Sequence, residues 1–350
     1  MSDRQPSGPV VVIGGAGFIG TNLVSRLAES GERVRVLDSL ARQGVEHNAE
    51  WLARSYRDEV EFVRGDVRDY ATVERTVADA AAVFHLAAQV AVTTSVEDPR
   101  ADLEVNLGGT FNVLEALRGQ TQPPPLLFTS TNKVYGALAN VEILEGSRRY
   151  QPRDECFAQR GVDESQPLSF HSPYGCSKGA ADQYVLDYTR VYGVPAVVFR
   201  MSCVYGPHQF GTEDQGWIAH FLIRAIEGRT ISIYGDGKQV RDALYVDDLI
   251  DAMLLAMTHT KTLAGQAFNI GGTPQRSASL IEVLELIAEL RDHAPEVEYG
   301  PWRPGDQRWY TSDVARYTAA TGWTPRTEIA DGIRRLHAWL TQQPRVRGGM

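Results

Sequence analysis

The chain has 350 residues, 43% of them hydrophobic and 23% charged, a balance that supports a well-buried core in one large domain or two moderate ones. A formal charge of −9 argues against a nucleic-acid backbone or an anionic membrane as partner, while leaving room for a local basic pocket. Three scattered cysteines, Cys156, Cys176 and Cys203, are too few for a disulfide framework or a metal cage and read as reduced thiols. The chain opens on a short polar tail without the apolar core of a signal peptide, and no apolar run approaches the roughly 20 residues of a membrane helix. A cytoplasmic protein is expected.

In chain order, Val10–Ile13 is a short apolar run ending in glycines, and residues 18–29 follow with helical spacing (Leu23, Leu27) before stopping at Ser30-Gly31. Residues 34–37, 60–63, 82–86 and 126–128 each read as a buried-type strand, with a helical pattern between successive strands. A helix over 174–191 and a strand over 196–199 continue the series. Such alternation predicts right-handed βαβ units, hence a parallel sheet covered on both faces. Beyond Tyr205 the pattern loosens into helical patches at 218–227, 246–257, 280–290 and 329–340, separated by turns such as Tyr234-Gly235-Asp236-Gly237. The longest irregular stretch, 137–172, reads as a loop insertion. The expected architecture is α/β: a Rossmann-type, doubly wound parallel sheet over residues 1–200, and a smaller C-terminal α/β substrate-binding region over 201–350, with some segments returning to the sheet.

Gly14-Gly15-Ala16-Gly17-Phe18-Ile19-Gly20 places three glycines in a G-x-x-G-x-x-G pattern between the first strand and the first helix. Glycines there permit a tight turn and close backbone approach to a pyrophosphate, which then faces the unpaired N–H groups of the helix N-terminus. Asp38 ends the second strand, 18 residues after Gly20, where a carboxylate accepts both ribose hydroxyls and repels a 2′-phosphate. That favours NAD over NADP, with Arg35 and Arg42 nearby as the opposing signal. Asp66 and Val67, after the third strand, are expected at the adenine edge, and Leu86, Ala87 and Ala88, after the fourth, beside the cofactor.

Tyr174 and Lys178 stand four apart at a helix start, so both face one side. A tyrosine with an ordinary pKa of about 10 is a poor base at neutral pH, and a neighbouring ammonium favours its phenolate. The fifth strand runs into the hydroxyls of Thr129, Ser130 and Thr131.

These segments resemble the extended short-chain dehydrogenase/reductase family of sugar-nucleotide epimerases, dehydratases and decarboxylases. The resemblance covers nearly the whole chain, from the Gly14 loop through Tyr205-Gly206-Pro207 and Gln239-Val240-Arg241-Asp242 to Arg303-Pro304-Gly305-Asp306. It implies that Thr131 completes a catalytic set with Tyr174 and Lys178, that these two also contact the cofactor, and that Arg241 and Arg303 hold the substrate diphosphate. It further implies a homodimer or homotetramer, built on helices near 103–117 and 174–191.

Within the family, 4,6-dehydratases carry an Asp-Glu pair after the hydroxyl residue. Here Asn132 and Lys133 occupy those places, and neither does carboxylate chemistry. The 131–136 segment, Phe170–Tyr184, Asp214-Gln215-Gly216-Trp217 and Asp306-Gln307-Arg308 resemble the members that invert C-2 of a CDP-linked hexose. The 4-epimerases usually carry an asparagine where Cys203 stands. Asn132, Lys133 and His171 are then expected to orient the hexose, and Cys176 and Cys203 to line its pocket. The expectation is an NAD-dependent epimerase acting on a CDP-hexose. A 4-epimerase on another nucleotide sugar and a non-catalytic NAD sensor are the alternatives.

Overall fold

The computed structural model describes residues 8–303 and 306–343. The polar tail at 1–7 and Pro304-Gly305 of the arginine–aspartate motif lie outside the described residues. The chain forms two compact units. One comprises residues 8–134, 172–200 and 250–268, the other 135–171, 201–249 and the described residues from 269 onward.

The first unit is built on a seven-stranded sheet. Its first five strands are β1 (Val10–Ile13), β2 (Val34–Asp38), β3 (Val60–Arg64), β4 (Ala82–His85) and β5 (Leu126–Thr131). The spatial order is Gln266–Ile270, Ala196–Met201, β5, β4, β1, β2, β3. β1 lies parallel to both β2 and β4, with Val12 opposite Val36 on one side and Phe84 on the other. The strand order therefore reverses beside β1, the crevice where open α/β sheets bind ligands. Val10, Val11, Val12 and Ile13 are all buried, as β-branched residues of a strand covered on both faces should be.

Helix α1 (Phe18–Glu29) buries Leu23, Val24, Leu27 and Ala28. It stops where sequence reasoning put the stop: Gly31, at φ +83°, donates to the Ala28 carbonyl, and Glu32 donates to that of Leu27. Those two bonds satisfy the last carbonyls in a left-handed cap that glycine adopts without strain. The helix Ser172–Tyr192 spans the predicted segment. Between Pro99–Leu103 and Gly109–Arg118 the helix loosens to a π-turn at Glu104–Gly108, a widening often found at functional sites.

In the second unit, Val240–Tyr245 pairs antiparallel with Ser277–Ser279 and parallel with Trp309–Tyr310 and Cys203–Tyr205. Ile231–Tyr234 pairs with Val297–Gly300. Ile218, Phe221, Leu222, Ile287, Ile333 and Leu336 fill the core of this unit. A capping box of Ser279 and Glu282 starts the helix Leu280–Arg291.

Periodicity misses the strands of this unit because polar residues sit at buried positions. Arg241 and Asp242 lie inside Val240–Tyr245, and both are buried. The seventh strand of the sheet hides in the same way, with Asn269 fully buried in Gln266–Ile270. The 137–172 stretch is more ordered than a plain loop. Ile143–Glu145 and Tyr150–Pro152 form a small hairpin, and Asp154 caps the short helix Glu155–Arg160. Elements this short carry no readable period. No helix among the described residues is long and apolar enough to cross a membrane.

Candidate active site

The glycine loop begins at Gly14, whose φ is +84°. A Cβ there would come within 2.5 Å of the Ala87 nitrogen, so only glycine lets the loop and the segment after β4 approach so closely. That segment is held in turn to β1, because Leu86 and Ala87 both donate to the Ile13 carbonyl at 2.8 and 2.9 Å. A Cβ on Gly20 would strike the Gly14 carbonyl at 2.3 Å, whereas one on Gly17 would meet only that carbonyl, at 3.3 Å. The loop is therefore packed tightly on one side and open at Gly17.

No side chain caps the N-terminus of α1, and no acidic residue lies in its first turn. Its first N–H groups, at Phe18 and Ile19, are left for an anion. These features fit a dinucleotide pyrophosphate.

Asp38 ends β2 with one oxygen accepting from Ala16 N–H at 3.0 Å and the other from Leu40 N–H at 2.9 Å. Burial raises its pKa, and the surrounding backbone N–H groups work against that rise. Three residues apart on a strand, Arg35 and Asp38 point to opposite faces. Arg35 is bound by Glu61 at 2.8 Å, Asp79 at 2.5 Å and the Thr76 carbonyl at 3.0 Å. It is thus committed away from the carboxylate. Arg42 is exposed in the loop after β2. Both Asp66 oxygens are taken by Arg68, which also holds the Asp66 pKa below its usual value. Val67 is buried, and its carbonyl accepts from Asn112.

Thr131, Tyr174 and Lys178 come together from β5 and the helix Ser172–Tyr192. The Thr131 hydroxyl hydrogen-bonds to the Tyr174 phenol and accepts from Lys133 N–H at 3.2 Å. Asn132 is buried beside Thr131. Lys178 is 3% exposed, with its ammonium 4.2 Å from the centroid of the Phe128 ring. Burial lowers the lysine to about 7, opposed by Asp182 and then Asp102. Burial likewise raises the tyrosine to about 12, with the Thr131 bond lowering it and Asp102 raising it. Desolvation thus dominates both groups, and the ammonium expected from the four-residue spacing to favour the phenolate is not among the influences on the tyrosine.

Sequence reasoning missed the polar brace under this pair. Asp102, 1% exposed, accepts from the Ser177 hydroxyl at 2.5 Å and the Asn106 amide at 3.1 Å. Asn106 also binds the backbone of Gln89 through both its amide atoms. The Tyr174 N–H is held by Ser95 at 3.2 Å. These residues lie up to 79 positions apart, so no local pattern joins them. His85 is fully buried and pushed down to about 3 by burial, and is therefore neutral.

The remaining predicted residues lie in the second unit. Arg241 is buried and bound to Asp306 at 2.6 Å and to the Gln307 carbonyl. Arg303 lies over the Tyr234 ring at 3.9 Å and contacts the Glu213 carboxylate at 3.2 Å. The Trp217 indole N–H donates to the Cys203 sulfur at 2.8 Å. His171 is exposed, 3.5 Å from the Ser169 hydroxyl. Cys176, on the first unit's long helix, is exposed.

A strand-order reversal holding an uncapped helix start, with a buried tyrosine and lysine four apart on the helix Ser172–Tyr192, marks the short-chain dehydrogenase/reductase class. Within it, the chain belongs to the NAD dependent epimerase/dehydratase family, whose sequence profile matches residues 10–271. It is 42% identical to CDP-paratose 2-epimerase of Salmonella typhi over 95% of this chain and 99% of that one. It is 31% identical to dTDP-glucose 4,6-dehydratase 1 of Escherichia coli, covering 94% and 92% of the two chains. The UDP-glucose 4-epimerase of Thermus thermophilus, solved in complex with NAD, superposes with a TM-score of 0.79 at 36% identity, covering 98% and 100%.

Proposed function

We propose that the protein is a homo-oligomeric, cytoplasmic epimerase that inverts C-2 of a CDP-linked hexose by transient oxidation to a 2-keto sugar. The observation that carries the chemistry is the buried Thr131–Tyr174 hydrogen bond beside Lys178. NAD, held at the Gly14–Gly20 loop and Asp38, would supply a reversible hydride acceptor for the sugar carbon. Tyr174 takes the proton of the reacting hydroxyl and later gives it back. Thr131 holds the phenol in position, and Lys178 supplies positive charge as the phenolate forms.

Gly14, Gly17, Gly20 and the N–H groups of Phe18 and Ile19 take the pyrophosphate in this reading, and Asp38 the adenosine ribose. Asp66 and Val67 flank the adenine, and Leu86, Ala87 and Ala88 line the cofactor channel. Asn132, Lys133 and His171 orient the hexose, and Cys203 lines its pocket. Arg241 and Arg303 bind the diphosphate, exchanging Asp306 and Glu213 for phosphate oxygens. Likeness to the Salmonella 2-epimerase supports the CDP-hexose and C-2 assignment. Asn132 and Lys133, unable to act as an acid–base carboxylate pair, speak against dehydration. Exposed Cys156 and Cys176 thiols suit a reducing compartment.

The test is an assay of a panel of CDP-, UDP- and dTDP-hexoses in deuterated water, with product stereochemistry read by NMR. Inversion at C-2 of a CDP-hexose without deuterium at that carbon is expected. Inversion at C-4 instead, or solvent deuterium at C-2, overturns the assignment.

A further inference from the structure

One turn beyond Lys178 on the same helix face stands Asp182, fully buried. Arg200, on the strand Ala196–Met201 and 5% exposed, grips this carboxylate bidentately, with both N–O distances 2.9 Å. The Gln183 amide adds a third bond at 2.9 Å. We infer that Asp182 and Arg200 are positioning residues of the acid–base site: Asp182 gives Lys178 a fixed anionic neighbour that keeps it charged, and Arg200 holds that carboxylate in place. This rests on the reading of Tyr174 and Lys178 as the acid–base pair.

An ammonium buried against Phe128 loses the water that would otherwise stabilise its charge, so it stays protonated only if fixed anions replace that water. The titratable groups around Lys178 come from several elements, and of these Asp182 and Asp102 act on its charge. Asp182 is on its own helix, Asp102 on Pro99–Leu103, and neutral His85 on β4; Tyr174 is one turn before it. Of the two anions, Asp182 favours the charged lysine more strongly, and Arg200 is absent from the influences on it. The planar fork of the paired guanidinium fixes the direction of the carboxylate. Stability alone is a weak reason for such a pair, since apolar residues of similar volume often replace a buried ion pair at no loss.

The chain has only four lysines, Lys133, Lys178, Lys238 and Lys261, which makes a direct measurement practical. Carbon-13 NMR of the NAD-loaded protein, labelled at lysine Cε, follows each titration, and Lys178→Arg identifies its signal. In Asp182→Asn the Lys178 midpoint should fall by about one pH unit or more, the scale of losing a nearby buried charge partner. Asp182→Leu combined with Arg200→Met leaves no orphaned charge, so it covers the case in which the single variant does not fold. It should show the same fall. A midpoint within about 0.3 of the parent in either folded variant overturns the inference. So does failure of both to fold, which would make the pair structural. Full turnover in Tyr174→Phe would remove the underlying reading while leaving the lysine titrations untouched, so the two failures are distinguishable.

Discussion

The Ala16 N–H donates a 3.0 Å hydrogen bond to Asp38, joining the turn of the glycine loop to the end of β2, 22 residues further along the chain. The carboxylate proposed to read the ribose thereby also holds the loop proposed to cradle the pyrophosphate. The Ala16 carbonyl is secured separately, by Asn48 at 3.2 Å and Thr21 at 3.2 Å. Asp38→Ala should therefore weaken NAD binding by tenfold to a hundredfold, the range expected for losing charged hydrogen bonds worth about 1.5–3 kcal/mol. Calorimetric titration of nucleotide-stripped protein checks the size of the effect. Denaturing the parent protein should release NAD, and recovery of mainly NADP would contradict the role given to Asp38.

Tyr174→Phe keeps the ring and its packing, and removes the oxygen that bonds to Thr131. Fold and NAD content should survive, while turnover falls by roughly 10²–10⁴-fold, the usual loss for a general acid–base group. Lys178→Ala should be nearly as damaging. Circular dichroism, released nucleotide and steady-state rates on one preparation separate loss of chemistry from loss of fold. Near-normal turnover in Tyr174→Phe would require another base.

The helices named for subunit contact display large apolar side chains. Phe111 is 42% exposed, Tyr184 44%, Val191 57% and Leu103 50%. Phe111 meets Tyr184 edge-on, with ring centroids 6.1 Å apart. Light scattering at micromolar concentration should report a dimer or tetramer, and Phe111→Glu with Tyr184→Glu should shift it towards monomer by placing like charges in the buried face. A monomeric parent protein would contradict the subunit contact.

Much of the first unit is legible in the chain because its signals are local. Val10–Ile13, the glycine spacing, the Ser30-Gly31 stop and the Tyr174–Lys178 interval each lie within one element or turn, where backbone geometry alone ties pattern to conformation. β1 ends where the sequence reading put it, and the ends of the other strands read there differ by one to three residues, as where β5 runs on through Thr131. The polar strands Val240–Tyr245 and Gln266–Ile270 were illegible because their buried Asp242 and Asn269 are satisfied by distant partners. Ser312 N–H serves the first, and Tyr135 and Glu164 serve the second.

The same distinction divides the active site. Residue identity and spacing by themselves determined that a glycine-rich loop before a helix, an aspartate ending the second strand and the Thr131, Tyr174 and Lys178 side chains are present, since those depend on side-chain type and short intervals. Tertiary structure alone decided the electrical state of the set. Burial raises Tyr174 and lowers Lys178, Asp102 reaches Ser177 from 75 residues away, and Arg200 clamps Asp182 from the neighbouring strand. Desolvation and long-range pairing depend on what the folded chain places around a group, and no spacing along the chain encodes them.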